Sequence, residues 1–157
     1  MFVKTTQPTE YDFGGSRTRM LISGAQSGGA YCMLEIFSPA GRATPRHRHQ
    51  NEDETIHMID GVLGVEIEGT LHTLVAGDTV LLKRGTAHQL INRGDSTAHY
   101  LVVCTPGGFD GFVEAVSDTM TQPIEPEPPT QAAKQRMIEA APRFGLTLLP
   151  PAAVVAE

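Results

Sequence analysis

Tryptophan is absent from this sequence, cysteine occurs only twice, and aromatic residues are few. Two cysteines cannot staple a disulfide-built scaffold. Cys32 and Cys104 each lie in an apolar, strand-like run, and both read as buried free thiols of a reducing compartment. A disulfide between them would require their two strands to be neighbours. No apolar run is long enough to span a bilayer, and Met1–Glu10 lacks the apolar core of a signal peptide. The expectation is a cytoplasmic protein. Clustered positive charge is missing as well. The net charge is −6 with Lys and Arg scattered, which argues against nucleic acid and anionic membrane as partners.

Glycine, by contrast, is abundant, as many short strands joined by tight turns require. Arg17–Ile22, Tyr31–Phe37, Val62–Ile67, Leu71–Val75, Val80–Leu82 and His99–Cys104 read as strands. Asp60-Gly61, Glu68-Gly69, Ala76-Gly77-Asp78 and Asn92–Ser96 read as turns between them. Turns at intervals of about 8–12 residues are the rhythm of an all-β sandwich or barrel. Tyr31–Phe37 is apolar on both faces, so it should lie between the interior and a covering layer. Glu35, its odd member, reads as a rim residue or, alternatively, a partnered interior carboxylate.

After Thr105 the pattern changes, dividing the chain into a barrel with an N-terminal arm (1–105) and a helical extension (106–157). Phe109, Phe112, Val113 and Val116 share one face of a helix. Pro123–Pro129 is a stiff linker. Thr130 is placed to cap a second helix through about Ala141, with Ala133, Met137, Ile138 and Ala141 as its apolar face and Pro142 ending it. A lone helix on a proline tether cannot hold itself folded. It must dock on this barrel or on a partner subunit's, and a homodimer is expected.

The chemistry-bearing stretch is Gly41–Gly61, which contains His47-Arg48-His49 and then Glu54. Residues i and i+2 of a strand face the same way, about 6–7 Å apart, so His47 and His49 can grip one ion while Arg48 points away. Glu54 opens the next apolar run and can point back at them. Downstream, His88 follows a Gly-Thr-Ala turn and starts another strand. Three histidines and a carboxylate suit a first-row metal with open coordination positions. Glu54 has a second role open to it, as the general base. Glu52 and Asp53 read as surface acids of the loop. By parity His57 faces away from Glu54; His72 and His99 lack ligand spacing; Asn92 reads as bonding backbone in a turn. Met33, Phe37, Ile56, Met58 and Leu90 are candidates to line a pocket.

These stretches resemble the two motifs of the cupin family. Gly41, His47, His49, Glu54 and Gly61 match the first, and Gly77, Gly85, His88 and Asn92 match the second. Lys83 stands where the family usually has Pro, which loosens a preset turn without removing a ligand. The resemblance implies a double-stranded β-helix barrel, followed here by one or two short C-terminal helices. It also implies one divalent transition metal per chain, with Fe(II) the first choice and Mn, Ni, Zn or Co as alternatives. The tail is similar to that of small single-domain bacterial cupins, many of which resemble quercetin dioxygenases. The activity implied is a non-haem dioxygenase acting on a small phenolic, flavonol or β-dicarbonyl substrate. The alternatives are redox-neutral Lewis-acid chemistry (isomerase, lyase or cyclase) and a non-enzymatic small-molecule binder.

Overall fold

Strict alternation of burial in the central strands builds the core. The computed structural model describes residues 1–153 and 155–156. Ten strands precede the first helix: β1 (Glu10–Phe13), β2 (Ser16–Ile22), β3 (Cys32–Ser38), β4 (His47–His49), β5 (Asp53–Asp60), β6 (Val62–Ile67), β7 (Thr70–Val75), β8 (Thr79–Leu82), β9 (His88–Ile91) and β10 (Ala98–Thr105). They are followed by α1 (Phe109–Val116), β11 (Asp118–Thr119), α2 (Gln131–Ala140), a 3-10 turn (Ala141–Phe144), β12 (Leu146–Leu148) and β13 (Val155–Ala156). One sheet has the order β11-β1-β2-β3-β10-β5-β8 and the other β12-β4-β9-β6-β7-β13. All pairings are antiparallel except the short β13–β7 contact. The two sheets face each other as the double-stranded β-helix.

Leu34 and Ile36 of β3, Tyr100 and Val102 of β10, and Ile56 and Met58 of β5 fill the space between the sheets with Leu63 and Val65 of β6. Cys32 and Cys104 are directly opposed on β3 and β10 and are buried free thiols. The hairpin between β5 and β6 turns on Gly61, at φ 79°, where a β-carbon would lie 2.7 Å from the Thr97 carbonyl oxygen. Only glycine fits that approach. No helix among the described residues is long and apolar enough to cross a membrane.

Two expectations are corrected here. The face of β3 that carries Met33 and Phe37 points away from the interior, because Cys32, Leu34, Ile36 and Ser38 take the inward parity. The layer that covers this face is polar: Phe37 stacks on His99 at 4.2 Å and under the Arg17 guanidinium at 4.8 Å. Glu35 on the same face bonds His99 at 2.8 Å and pairs with Arg19. In α2, Met137 and Ala140 face inward and Ile138 is 53% exposed. The contact stripe is therefore rotated from the one expected, and Ala141 already belongs to the 3-10 turn that Pro142 tightens.

The extension lies against this chain's own barrel. The Thr130 side chain caps α2 by accepting from the Ala133 N–H at 3.1 Å. Phe109 and Phe112 of α1 meet Phe13 edge-on at 5.9 and 6.0 Å, and Phe144 meets Phe112 at 5.8 Å. β12 pairs with β4, setting Leu146 opposite His49 and Leu148 opposite His47.

Candidate metal centre

Both sheets supply the site. β4 and β9 present the histidines, with His47 directly opposite His88. β5, from the other sheet, presents Glu54. One ligand atom from each of His47, His49, Glu54 and His88 lies within 4.8 Å of all the others. His49, Glu54 and His88 are 2%, 4% and 1% exposed, so bulk water does not satisfy them.

The Nδ1 atom of each imidazole faces an oxygen that can only accept. His47 Nδ1 lies 2.8 Å from the Pro45 carbonyl, His88 Nδ1 lies 3.0 Å from the Thr86 carbonyl, and His49 Nδ1 lies 3.2 Å from the Glu52 carboxylate. Nδ1 therefore carries the hydrogen, and Nε2 is the nitrogen left to coordinate. His49 Nε2 and His88 Nε2 lie 3.3 and 2.9 Å from Glu54 Oε2. Even so, all three atoms are buried without a hydrogen bond of proper geometry. With one ligand atom of His47 they form a single cluster. Buried polar atoms left in this way are costly unless something else satisfies them. An ion bound within the cluster fits the donor set, so the group can hold one metal ion.

The electrostatics agree. Burial, with the neighbouring His88 and His49, pushes His47 down to about 3. Burial also opposes charge on His49, but the Glu52 and Glu54 carboxylates overcome it and lift this group to about 9. Burial likewise works against the Glu54 carboxylate, yet the neighbouring His49 and His88 hold it well below the usual range. The centre favours a positive charge between its carboxylates.

Glu52 is the residue that the sequence reading misplaced. It is 3% exposed and orients His49 rather than lying in a solvated loop. It shares the parity of Glu54 and stands three residues after His49, which is the signal that could have found it. Asp53 does face outward and replaces the missing proline's rigidity. Its carboxylate accepts from the Arg84 N–H at 2.9 Å and the Arg84 Nε at 3.1 Å, and it lies 3.3 Å from Lys83 Nζ. Those bonds hold Asp53 down to about 2. In the same turn Gly85, at φ 83°, donates its N–H to the His49 carbonyl at 2.7 Å. The turn before His88 is thereby tied to the strand of the other histidines.

His57 is exposed and bonds Thr79 Oγ1 at 2.8 Å. Asn92 is buried in a turn, donating to the Ser38 and Ser96 carbonyls and accepting from the Gly94 N–H.

A cavity of about 350 Å³ opens from this centre, with His47 and Glu54 in its wall. Of the residues expected to line it, Leu90 does so. Ile56 and Met58 share Glu54's parity but are closed into the core at 0% exposure, and Met33 and Phe37 are on the far face of β3. Their places are taken by Ile36, Tyr100 and Val102, and by residues beyond the barrel motifs: Phe13, Phe109, Phe112, Met137 and Leu146. Burial, with Glu54 nearby, pushes the Tyr100 phenol well above its usual range, so it stays protonated.

Residues 33–104 match the family described as "Cupin domain". Quercetin 2,3-dioxygenase of Bacillus subtilis (strain 168) is 26% identical over 86 residues, covering 55% of this chain and 26% of that protein. Tetracenomycin polyketide synthase protein TcmJ of Streptomyces glaucescens is 27% identical over 93 residues, 59% of this chain and 62% of that protein. The chain thus spans about a quarter of the first relative's length and under two thirds of the second's. A solved structure, described as a sugar phosphate isomerase from a cupin superfamily of Silicibacter pomeroyi DSS-3, aligns with TM-score 0.54 at 27% identity, covering 61% of this chain and 62% of that one.

Proposed function

This chain is a member of the cupin superfamily, and from that premise we propose that it is a metal-dependent dioxygenase of a small phenolic, flavonol or β-dicarbonyl molecule. The supporting observation is the set of buried, unpartnered Nε2 and Oε2 atoms beside a cavity whose walls are mostly aliphatic and aromatic. A first-row ion held by His47, His49, Glu54 and His88 would supply Lewis acidity toward an enol or phenol oxygen and, as Fe(II), one-electron chemistry with dioxygen. Glu54 lines the cavity as an anion, where it can accept the substrate's hydroxyl proton. The Tyr100 side chain lines the same cavity. Phe109, Phe112 and Leu146 exclude water from reactive intermediates. The similarity to a quercetin dioxygenase favours the same class.

A second reading, redox-neutral isomerisation or cyclisation, is favoured by Glu54 itself: a buried carboxylate held ionised is a competent acid–base group whatever the metal's redox state. The relative described as an isomerase is compatible with it, although apolar walls suit an aromatic body better than a polyol.

The test is turnover of flavonols, catechols and β-diketones by Fe(II)-loaded protein with oxygen uptake recorded. Stoichiometric uptake supports the dioxygenase. Product formed under argon selects the redox-neutral reading. No product with Fe, Mn, Co, Ni or Zn overturns both and leaves a binding protein.

A further inference from the structure

The cavity has a second polar end. Among the described residues, Arg42 and Lys134 are the arginine and lysine side chains that line it, and the one acidic lining residue, Glu54, belongs to the metal centre. Ala43 bridges Ile91 and the Arg42 carbonyl accepts from the Asn92 N–H at 2.8 Å, which places Arg42 beside Asn92, four residues along the chain from His88 and so about 13 Å of extended backbone away. Arg42 therefore stands at the end away from the metal. Its neighbours agree with that placement. A β-carbon on Gly15 would meet Arg42 Nε at 2.8 Å and Pro129 at 2.9 Å, and one on Gly14 would meet Met137 at 3.1 Å. Lys134 lies three residues before Met137 on α2. The β1–β2 turn, the proline linker and α2 thus converge on one rim.

These cations have no anion of their own. Arg17, Arg19, Arg46, Arg84 and Arg136 each pair with a carboxylate. Among the described residues neither Arg42 nor Lys134 does. Arg42 spends Nε on the Gly15 carbonyl at 3.0 Å and Nη2 on the Pro126 carbonyl at 2.9 Å. Those acceptors are neutral, so the guanidinium charge is fixed in place and uncompensated. In a chain of net charge −6, two uncompensated cations at the mouth of an apolar cavity form a local field of opposite sign to the whole.

We infer that the cavity's ligand is an anionic aromatic: a flat apolar body with a hydroxyl or enol oxygen at the metal end and a carboxylate, or an equivalent anion, between Arg42 and Lys134. Lys134 is the specificity-determining residue. Arg42 serves chiefly as the fixed charge, because its bonds also strap the linker to the barrel. The inference rests on reading the cavity as a substrate site, but not on the reaction performed there.

The probes are 2-naphthol and 6-hydroxy-2-naphthoate, which differ only in a carboxylate at the end opposite the hydroxyl. Both are titrated calorimetrically into Zn(II)-loaded protein at low salt. The expected result is about tenfold tighter binding of the naphthoate, the scale of one charge-assisted hydrogen bond. Raised salt should narrow the gap. Lys134 makes no side-chain hydrogen bond to another described residue, so Lys134→Met should fold normally and bring the ratio near one. Lys134→Glu should invert the ratio. Equal affinities in the parent, a ratio unmoved at Lys134, or no binding of either probe at millimolar concentration would overturn the inference. The same titrations in His49→Ala separate the two readings. A ratio kept there locates the selectivity at the mouth, whereas an absence of Zn(II) binding in the parent would sink the metal reading alone.

Discussion

The two ends of the cavity are assembled by different means. The metal end draws on His47, His49, Glu54 and His88, held by three strands of the barrel and a turn pinned by Asp53. The mouth draws on Phe13 and Arg42 near the start of the barrel and on Phe112, Lys134 and Met137 from the extension. The metal end is buried, and its polar atoms are fixed by a network around it. The mouth is held by aromatic edges, one guanidinium strap and a capped helix. In such an arrangement chemistry and selectivity can be altered separately, and the contrast can be tested by perturbing each end and reading the other.

His49→Ala should have the largest effect. Removal of one of four ligands, with the fold intact by circular dichroism, should lower metal affinity by more than about a hundredfold, read by elemental analysis of purified protein. Retention of stoichiometric metal would dismantle the ligand assignment. Glu52→Gln keeps an oxygen near His49 Nδ1 but removes its charge. It should weaken metal binding by about tenfold to a hundredfold in competition with a chromogenic chelator, without changing the naphthoate preference. Met137→Ala should act in the opposite sense. Loss of a buried side chain at the mouth should cost about 2 kcal/mol in urea unfolding, the low end for such truncations because one side already faces a cavity. Metal stoichiometry should stay at that of the parent, and a loss of metal would mean that the two ends are coupled.

The smallest effect concerns protons. The folded site lifts His49 to about 9, so without metal it holds a proton throughout the neutral range, and a metal ion must displace that proton. Metal affinity should rise with pH, by up to about tenfold per unit below pH 9, and level off above it. His47, pushed down to about 3, adds no slope at neutral pH. Lys134→Met should shift this profile by no more than a few tenths of a unit. A flat profile in the parent would mean that His49 is neutral before the metal binds.

The metal end was legible because its information is local. His47, His49 and Glu54 stand within eight residues, in a spacing that pleat geometry converts directly into a common direction. Turn residues such as Asp60-Gly61 announced the barrel for the same reason. Glu52 was not legible as a buried partner, because a run of four polar residues reads as solvent whichever of them turns inward. The cavity wall was hidden by two further effects. A strand apolar on both faces gives no parity, so β3 offered Met33 and Phe37 as readily as Leu34 and Ile36. The rest of the wall comes from Phe13, Phe112 and Met137, brought together only by packing across most of the chain. The amphipathic pattern of α1 told which residues would be buried, but not that they would be buried over a metal centre.

The pairing of β12 with β4 bears on how the protein matures. The strand that carries His47 and His49 is three residues long, and one of its two neighbours, Leu146–Leu148, lies nearly a hundred positions downstream. Contacts of such high order form late, because a long loop must close first. While the chain is being synthesised, the histidine strand therefore waits as an open edge, partnered only by β9, until residue 148 has cleared the ribosome. The metal centre is thus among the last parts of the molecule to be completed, although most of its ligands are among the first to be made.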